Sequence, residues 1–300
     1  MRITNTMLSN SFNVNLAQTT ERLYEAETQA LTEKRLNKPS DDPVDTITAL
    51  SIRSRLSDIE QYQENISQAQ TTLSTTDTAL TDLVDLLSQV NTIVVEGASD
   101  TYSDADKASL AYEVNQILEE IYNLANGSIG STYTFGGTNT DAAPYVAVRD
   151  DSGEIISVTT NGSSGDIVAQ IGDNVRITVN VNGEDVFEGD VQVFDLLVKV
   201  RDDLRSGDND ELQDDLVQLS SASDQIINMQ AIVGARTNRV DAAESRAESD
   251  HINFTEYLSD TEDIDASEAI INYQTELLAM QVSLQVGARI LMPTLADFLS

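Results

Sequence analysis

Cysteine is absent from the chain, which removes disulfides, thiolate metal sites and cysteine nucleophiles together. Tryptophan is absent too, aromatic residues make up only 5%, and the one histidine is His251. Large aromatic side chains dominate wide cores, so their scarcity favours slender helical seams. Bases are also few: 17 Lys and Arg face 51 Asp and Glu, for a net charge of −34. Phosphate backbones are held by clustered Lys and Arg, so no nucleic-acid partner is expected. No apolar run approaches the ~18 residues that span a bilayer, so no membrane insertion is expected. The opening MRITNTMLSNSF lacks the apolar core of a cleaved signal peptide. If the protein leaves the cell, another export signal is expected.

The missing positive charge is unevenly missing. Residues 1–55 hold seven acids and seven bases, and residues 271–300 hold Glu276 and Asp297 against Arg289. The acidity therefore lies in the middle. Nearly neutral, amphipathic ends on an acidic body imply that the ends pack against something while the body stays solvated.

What is present is a seam. From residue 59 to 94 the positions Ile59, Tyr62, Ile66, Ala69, Leu73, Thr76, Leu80, Leu83, Leu87, Val90 and Val94 follow a 3-then-4 spacing without Gly or Pro. That period marks a long helix packed against partner helices. Asp42-Pro43 with Asp45 reads as its N-cap, first-turn proline and dipole-facing acid. Before it, Met7, Phe12, Leu16 and Leu23 form a sparse helical stripe, and two prolines in Asn37–Pro43 break the chain. After Gly97, Ser103 and Asp106 read as a capping box for a helix ending near Asn126-Gly127. Residues 128–193 alternate in strand fashion. Asn161-Gly162 and Asn182-Gly183 read there as type I′ hairpin turns, and Asp151–Gly153 as a further turn. A short helix follows from Phe194 to Arg205. A second long stripe then carries Leu219, Ile226, Val233 and Val240, with Gly234 either a local weakness or a site of close helix approach. Asp265 and Glu268 read as the cap of a last helix bearing Leu277, Leu284 and Leu291, followed by a tail with Leu295 and Phe298.

The expected fold is mainly α with an inserted β module. Two long helical stretches of matching length make an antiparallel bundle or coiled coil, with a small β-rich domain at its far end. The expected division is 1–42 and 264–300 as terminal assembly segments, 43–127 and 194–263 as the rod, and 128–193 as the β insertion. Ile59, Ile66, Leu73, Leu80, Leu87, Leu219, Ile226, Val233 and Val240 are the expected rod core. Met7, Phe12, Leu16, Leu23, Leu277, Leu284, Leu291, Leu295 and Phe298 are the expected assembly residues of the terminal helices.

Parts for catalysis are missing. No phosphate loop, nucleophile elbow or zinc helix occurs, and His251 falls near the seam as a partly buried helix residue. Acidic turns at 150–154 and 208–211 lack the spacing of a calcium loop. No enzyme activity, cofactor or metal is expected.

Several segments carry a resemblance. Met1–Met7 (MRITNTM), Arg35–Pro43 (RLNKPSDDP), Tyr133–Gly137 (YTFGG), Gly234–Arg239 (GARTNR), Asp263–Ile270 and the end LADFL are similar to the flagellin superfamily. The MRIT start, and Pro43 where filament subunits usually carry alanine, favour its hook–filament junction members over filament flagellin. The resemblance implies an extracellular structural subunit of the bacterial flagellum, exported unfolded by the flagellar type III route with an uncleaved signal. It implies a homo-oligomeric ring with hook-associated protein 1 and flagellin as neighbours and a flagellar export chaperone as escort. Terminal segments of such proteins become ordered on assembly. The competing readings are a short filament flagellin, a cytosolic helical signalling rod and, least supported, a secreted enzyme.

Overall fold

The computed structural model describes residues 5–99, 102–130, 132–139, 141–162 and 164–291. In order, the elements are α1 (Asn5–Thr32), α2 (Pro43–Gly97), α3 (Asp104–Ala125), β1 (Ser128–Ile129), β2 (Thr132–Tyr133), β3 (Tyr145–Arg149) and β4 (Ile155–Thr160). Then come β5 (Val168–Gly172), β6 (Val175–Thr178), α4 (Gly183–Phe187), α5 (Val193–Ser206), α6 (Asn209–Glu262) and α7 (Ala266–Leu291). The fold is mainly helical, with β-hairpins inserted mid-chain. Two compact units divide it: Met1–Asp58 with Asp250–Ser300, and Ile59–Ser249.

In the larger unit the heptad positions close the seam. Ile59, Ile66, Leu73, Leu80 and Leu87 of α2 are buried, as are Leu219, Ile226, Val233 and Val240 of α6. Polar bonds along the flank give the direction. Gln70 donates to Asp241 (3.1 Å) and Glu244 (2.7 Å), and Gln230 donates to Thr81 (2.9 Å). A higher number on one helix meets a lower number on the other, so the two run antiparallel. Gly234 has open space where a Cβ would stand, so it serves no close helix approach. α3 begins with the expected box: Ser103 accepts from the Asp106 backbone while the Asp106 carboxylate accepts in return. α3 then packs along α5, and buried Arg201 of α5 donates to Asn115 Oδ1 (3.1 Å) and the Ile155 carbonyl (2.7 Å). Those acceptors offset the cost of burying the guanidinium.

Among the described residues the strands form three separate two-stranded antiparallel hairpins, β1–β2, β3–β4 and β5–β6. The Asp151–Gly153 turn closes β3–β4, with Gly153 at φ 88°. The two Asn-Gly pairs close no hairpin, against expectation. Asn161 donates to the Pro144 carbonyl (2.6 Å), extending the β3–β4 pair before the chain departs. Asn182 precedes α4, and Gly183 is needed for close approach: a Cβ there would stand 2.4 Å from the Tyr145 hydroxyl. The turn that does join β5 to β6 is Asp173-Asn174, with Asn174 at φ 56°. Asparagine tolerates that left-handed backbone almost as glycine does.

Tyr145 sits in an aromatic cluster, its ring 5.2 Å from those of Phe187 and Phe194. Its hydroxyl is buried and meets no hydrogen-bond partner among the described residues. Burial, followed by the nearby Glu188 and Glu184 charges, pushes the phenol pKa up. Tyr145→Phe keeps the ring contacts and removes a desolvated hydroxyl. Thermal melting is expected at or above the wild-type temperature. A loss beyond about 1 kcal/mol would show that the hydroxyl is satisfied.

Candidate assembly surface

The smaller unit is organised by a buried acid. Glu262 closes α6 and is only 4% exposed. Lys34 and Arg53, far away in sequence, both donate to its carboxylate. The backbone repeats the link: Arg35 N–H and Leu36 N–H donate to the Glu262 carbonyl (2.7 and 3.3 Å), and Ile264 N–H donates to the Glu33 carbonyl (3.1 Å). Arg35 also reaches the Thr261 carbonyl (2.8 Å) and pairs with Asp45. Glu33 adopts φ 56°, turning the chain sharply out of α1.

Beyond that turn the Asn37–Pro43 segment is held by its own acids. Asp41 accepts from the backbone of Asn37 (3.0 Å) and Lys38 (2.8 Å). Asp42 accepts from Val44 (3.0 Å) and Asp45 (3.1 Å), as an N-cap does. Lys38 lies over the Tyr24 ring at 5.1 Å, in cation–π geometry. Asp265 caps α7 through the Ser267 and Glu268 N–H groups, which hold its carboxyl below the usual carboxylate range. These contacts set the path from α1 into α2 and from α6 into α7.

So placed, α1 and α7 pack along each other, with Arg22 pairing with Glu276 (3.2 Å). The residues they bury are small: Thr19 and Ala26 of α1, Ala269 and Gly287 of α7. A Cβ at Gly287 would fall 2.0 Å from the Phe12 ring. Most of the larger apolar residues remain outside. Of the 28 exposed large apolar side chains among the described residues, 17 belong to this unit, which holds about a third of the chain. Ile270, Ile271, Leu277, Leu278, Val282, Leu284 and Val286 distribute apolar surface around α7. Exposed apolar surface of that extent marks a candidate interaction site.

The sequence-derived assembly residues fall as follows. Phe12, Leu16 and Leu23 are half-buried, and Phe12 and Leu16 meet Val282 and Val286 at an open groove. Met7, Leu277 and Leu284 are exposed. Leu291 is the last residue of α7, whereas Leu295 and Phe298 lie outside the described residues. Sequence reasoning missed Glu262, Gly287 and the exposed Val44, Ile47 and Leu50 at the start of α2. The last three had a signal: they stand before the seam and outside its register.

Among the described residues no helix is long and apolar enough to cross a membrane. The chain is 24% identical over 272 residues to flagellar hook-associated protein 3 of Escherichia coli (strain K12), covering 85% of this chain and 86% of that one. Its fold is similar to that of the flagellar junction protein FlgL from Legionella pneumophila, with a TM-score of 0.60 and 16% identity over 72% of this chain and 100% of that one. FlgL of Bacillus cereus is similar at a TM-score of 0.59 and 21% identity, over 70% and 99% of the two chains. Residues 3–140 match the bacterial flagellin N-terminal helical region. The chain is thus similar to flagellin-family proteins: residues 3–140 match their N-terminal helical region, and most of its length is similar to flagellar hook-associated protein 3.

Proposed function

We propose that this protein is the junction subunit between the flagellar hook and filament. It would assemble as a ring through its terminal helices, with hook-associated protein 1 below and flagellin above. One observation carries the choice of junction over filament. The likeness to hook-associated protein 3 extends over 272 residues, well past residue 140, where the match to the flagellin N-terminal region stops. The unpartnered apolar surface of α1 and α7 supports assembly through the ends, because a single chain leaves it in water. The filament-flagellin reading rests on that shared N-terminal region.

A gene knockout viewed by electron microscopy separates the two. The junction reading expects intact hooks, with filament protein shed into the medium. Absence of any filament protein, in cells or medium, would assign the chain to the filament itself. Removing residues 1–36 and 271–300 is expected to leave a cooperatively folded, mainly helical protein that no longer enters flagella. Normal swimming with the shortened protein would overturn assembly through the ends.

A further inference from the structure

The sequence holds three Asn-Gly dipeptides, Asn126-Gly127, Asn161-Gly162 and Asn182-Gly183. Glycine leaves the backbone nitrogen after an asparagine unshielded, so that nitrogen can attack the side-chain amide carbon wherever both groups are free to move. The fold holds two of the three pairs. Asn126 Oδ1 accepts from the Tyr145 N–H (3.0 Å), and its Nδ2 donates to the carbonyls of Tyr145 (3.1 Å) and Tyr122 (3.3 Å). The Gly127 N–H donates to the Leu124 carbonyl (2.9 Å). Asn182 Oδ1 accepts from Asn180 Nδ2 (3.2 Å), and Gly183 is buried with its N–H on the Phe135 carbonyl (3.2 Å). The remaining pair differs in each respect. Asn161 and Gly162 are both exposed, just past β4 and outside helix and strand. Among the described residues Asn161 bonds through its backbone alone: its N–H donates to the Pro144 carbonyl (2.6 Å), and its carbonyl accepts from Asn139 Nδ2 (3.4 Å). The Gly162 N–H reaches the exposed Thr160 hydroxyl at 3.4 Å, too long to hold it firmly.

We propose that Asn161-Gly162 is a modification site, where the chain cyclises to a succinimide and deamidates with water as the co-reactant. The Gly162 nitrogen gives its proton to solvent base and bonds to Asn161 Cγ, while the Cγ–Nδ2 bond breaks and ammonia leaves. Water then opens the ring, adding OH to one carbonyl carbon and H to the nitrogen. Opening at Cγ leaves aspartate. Opening at the main-chain carbonyl of residue 161 leaves isoaspartate, whose backbone runs through the former side chain. Nothing is oxidised or reduced, and either product carries one more negative charge. The bond from the Asn161 N–H to Pro144 precedes the altered link, so the β3–β4 ladder survives the change. The lost ammonia is not regained, so the converted fraction marks the age of a chain. The site rests on local geometry, whatever position the subunit takes in the flagellum.

The full chain, incubated folded in mildly alkaline water enriched in heavy oxygen and then digested, reports each site by mass spectrometry. Heavy oxygen is expected to enter at Asn161 about tenfold faster or more than at Asn126 or Asn182, because those two must first open locally. Both aspartate and isoaspartate peptides should appear at residue 161. Equal rates at the three sites, or no label at Asn161, would overturn the proposal. Incubation in denaturant is the second arm. Unfolding should bring Asn126 and Asn182 up to the Asn161 rate, and a persisting difference would mean that flanking sequence, not the fold, selects the site. Gly162→Ala tests the attacking nitrogen. A Cβ there would stand 3.5 Å from the Pro144 Cβ, an ordinary contact, so the variant should melt as the wild type does. Its added methyl group shields the nitrogen, and labelling at Asn161 should slow about tenfold. Undiminished labelling in that variant would assign the reaction to direct hydrolysis and overturn the succinimide route.

Discussion

Leu73→Asp is expected to lower the melting temperature of the larger unit by about 10 °C or more. The Leu73 side chain has no solvent exposure, and it sits mid-seam between Ile66 and Leu80, which are equally enclosed. Losing the leucine alone costs about 2–5 kcal/mol. An unpaired carboxylate left in its place adds several kcal/mol more, unless it protonates or drags the seam open. For a unit of this size each kcal/mol moves the midpoint by about 2–4 °C. Leu80→Asp should behave alike. Circular dichroism melts of the full chain test both. An unchanged midpoint would mean that the α2 seam is not packed inside the chain. Val217, exposed on α6, is the control: Val217→Asp should leave the stability within about 0.5 kcal/mol of wild type.

The second large effect belongs to the terminal pair. Gly287→Ala places a methyl group where the Phe12 ring now lies. The ring must leave the seam or the helices must part, and overpacking of this kind costs about 1–3 kcal/mol. Hydrogen exchange in α1 and α7 should quicken about tenfold or more, as expected for a loss of that size, while α3 and α5 keep their protection. Incorporation into flagella should fall with it. Phe12→Ala on the same chain clears the space, so the double variant should exchange more slowly than Gly287→Ala alone. Additive losses in the two variants would show that Phe12 and Gly287 do not share a seam.

Heptad spacing made the long helices legible because the property that forms them is local. Ile66, Leu73 and Leu80 announce a buried face by their intervals, and α2 and α6 supply each other's cover. Asp42, Ser103 and Asp265 were equally readable, since a cap acts on backbone groups two or three residues away. Glu262 was not. It is one of 51 acids, and its burial comes from Lys34 and Arg53, which stand 228 and 209 residues away in sequence. Gly287 had no signal either, because its role is the absence of a side chain opposite Phe12. The Asn-Gly pairs misled for a related reason. A strong turn dipeptide states what the backbone can do, while Asn182-Gly183 is claimed by the crowding of Tyr145 and Phe135 around it.

The three hairpins share no ladder with one another. Two of them are instead tied to helices: β3–β4 to α3 and α5, β5–β6 through Asn65 of α2 and Arg239 of α6. A strand removed from one continuous sheet would strip hydrogen bonds from its neighbours. Here an insertion, deletion or foreign epitope in the Asp151–Gly153 turn alters a single pair of strands and leaves the other ladders whole. Such an arrangement lets one hairpin loop be exchanged at a time without renegotiating the helices that carry it.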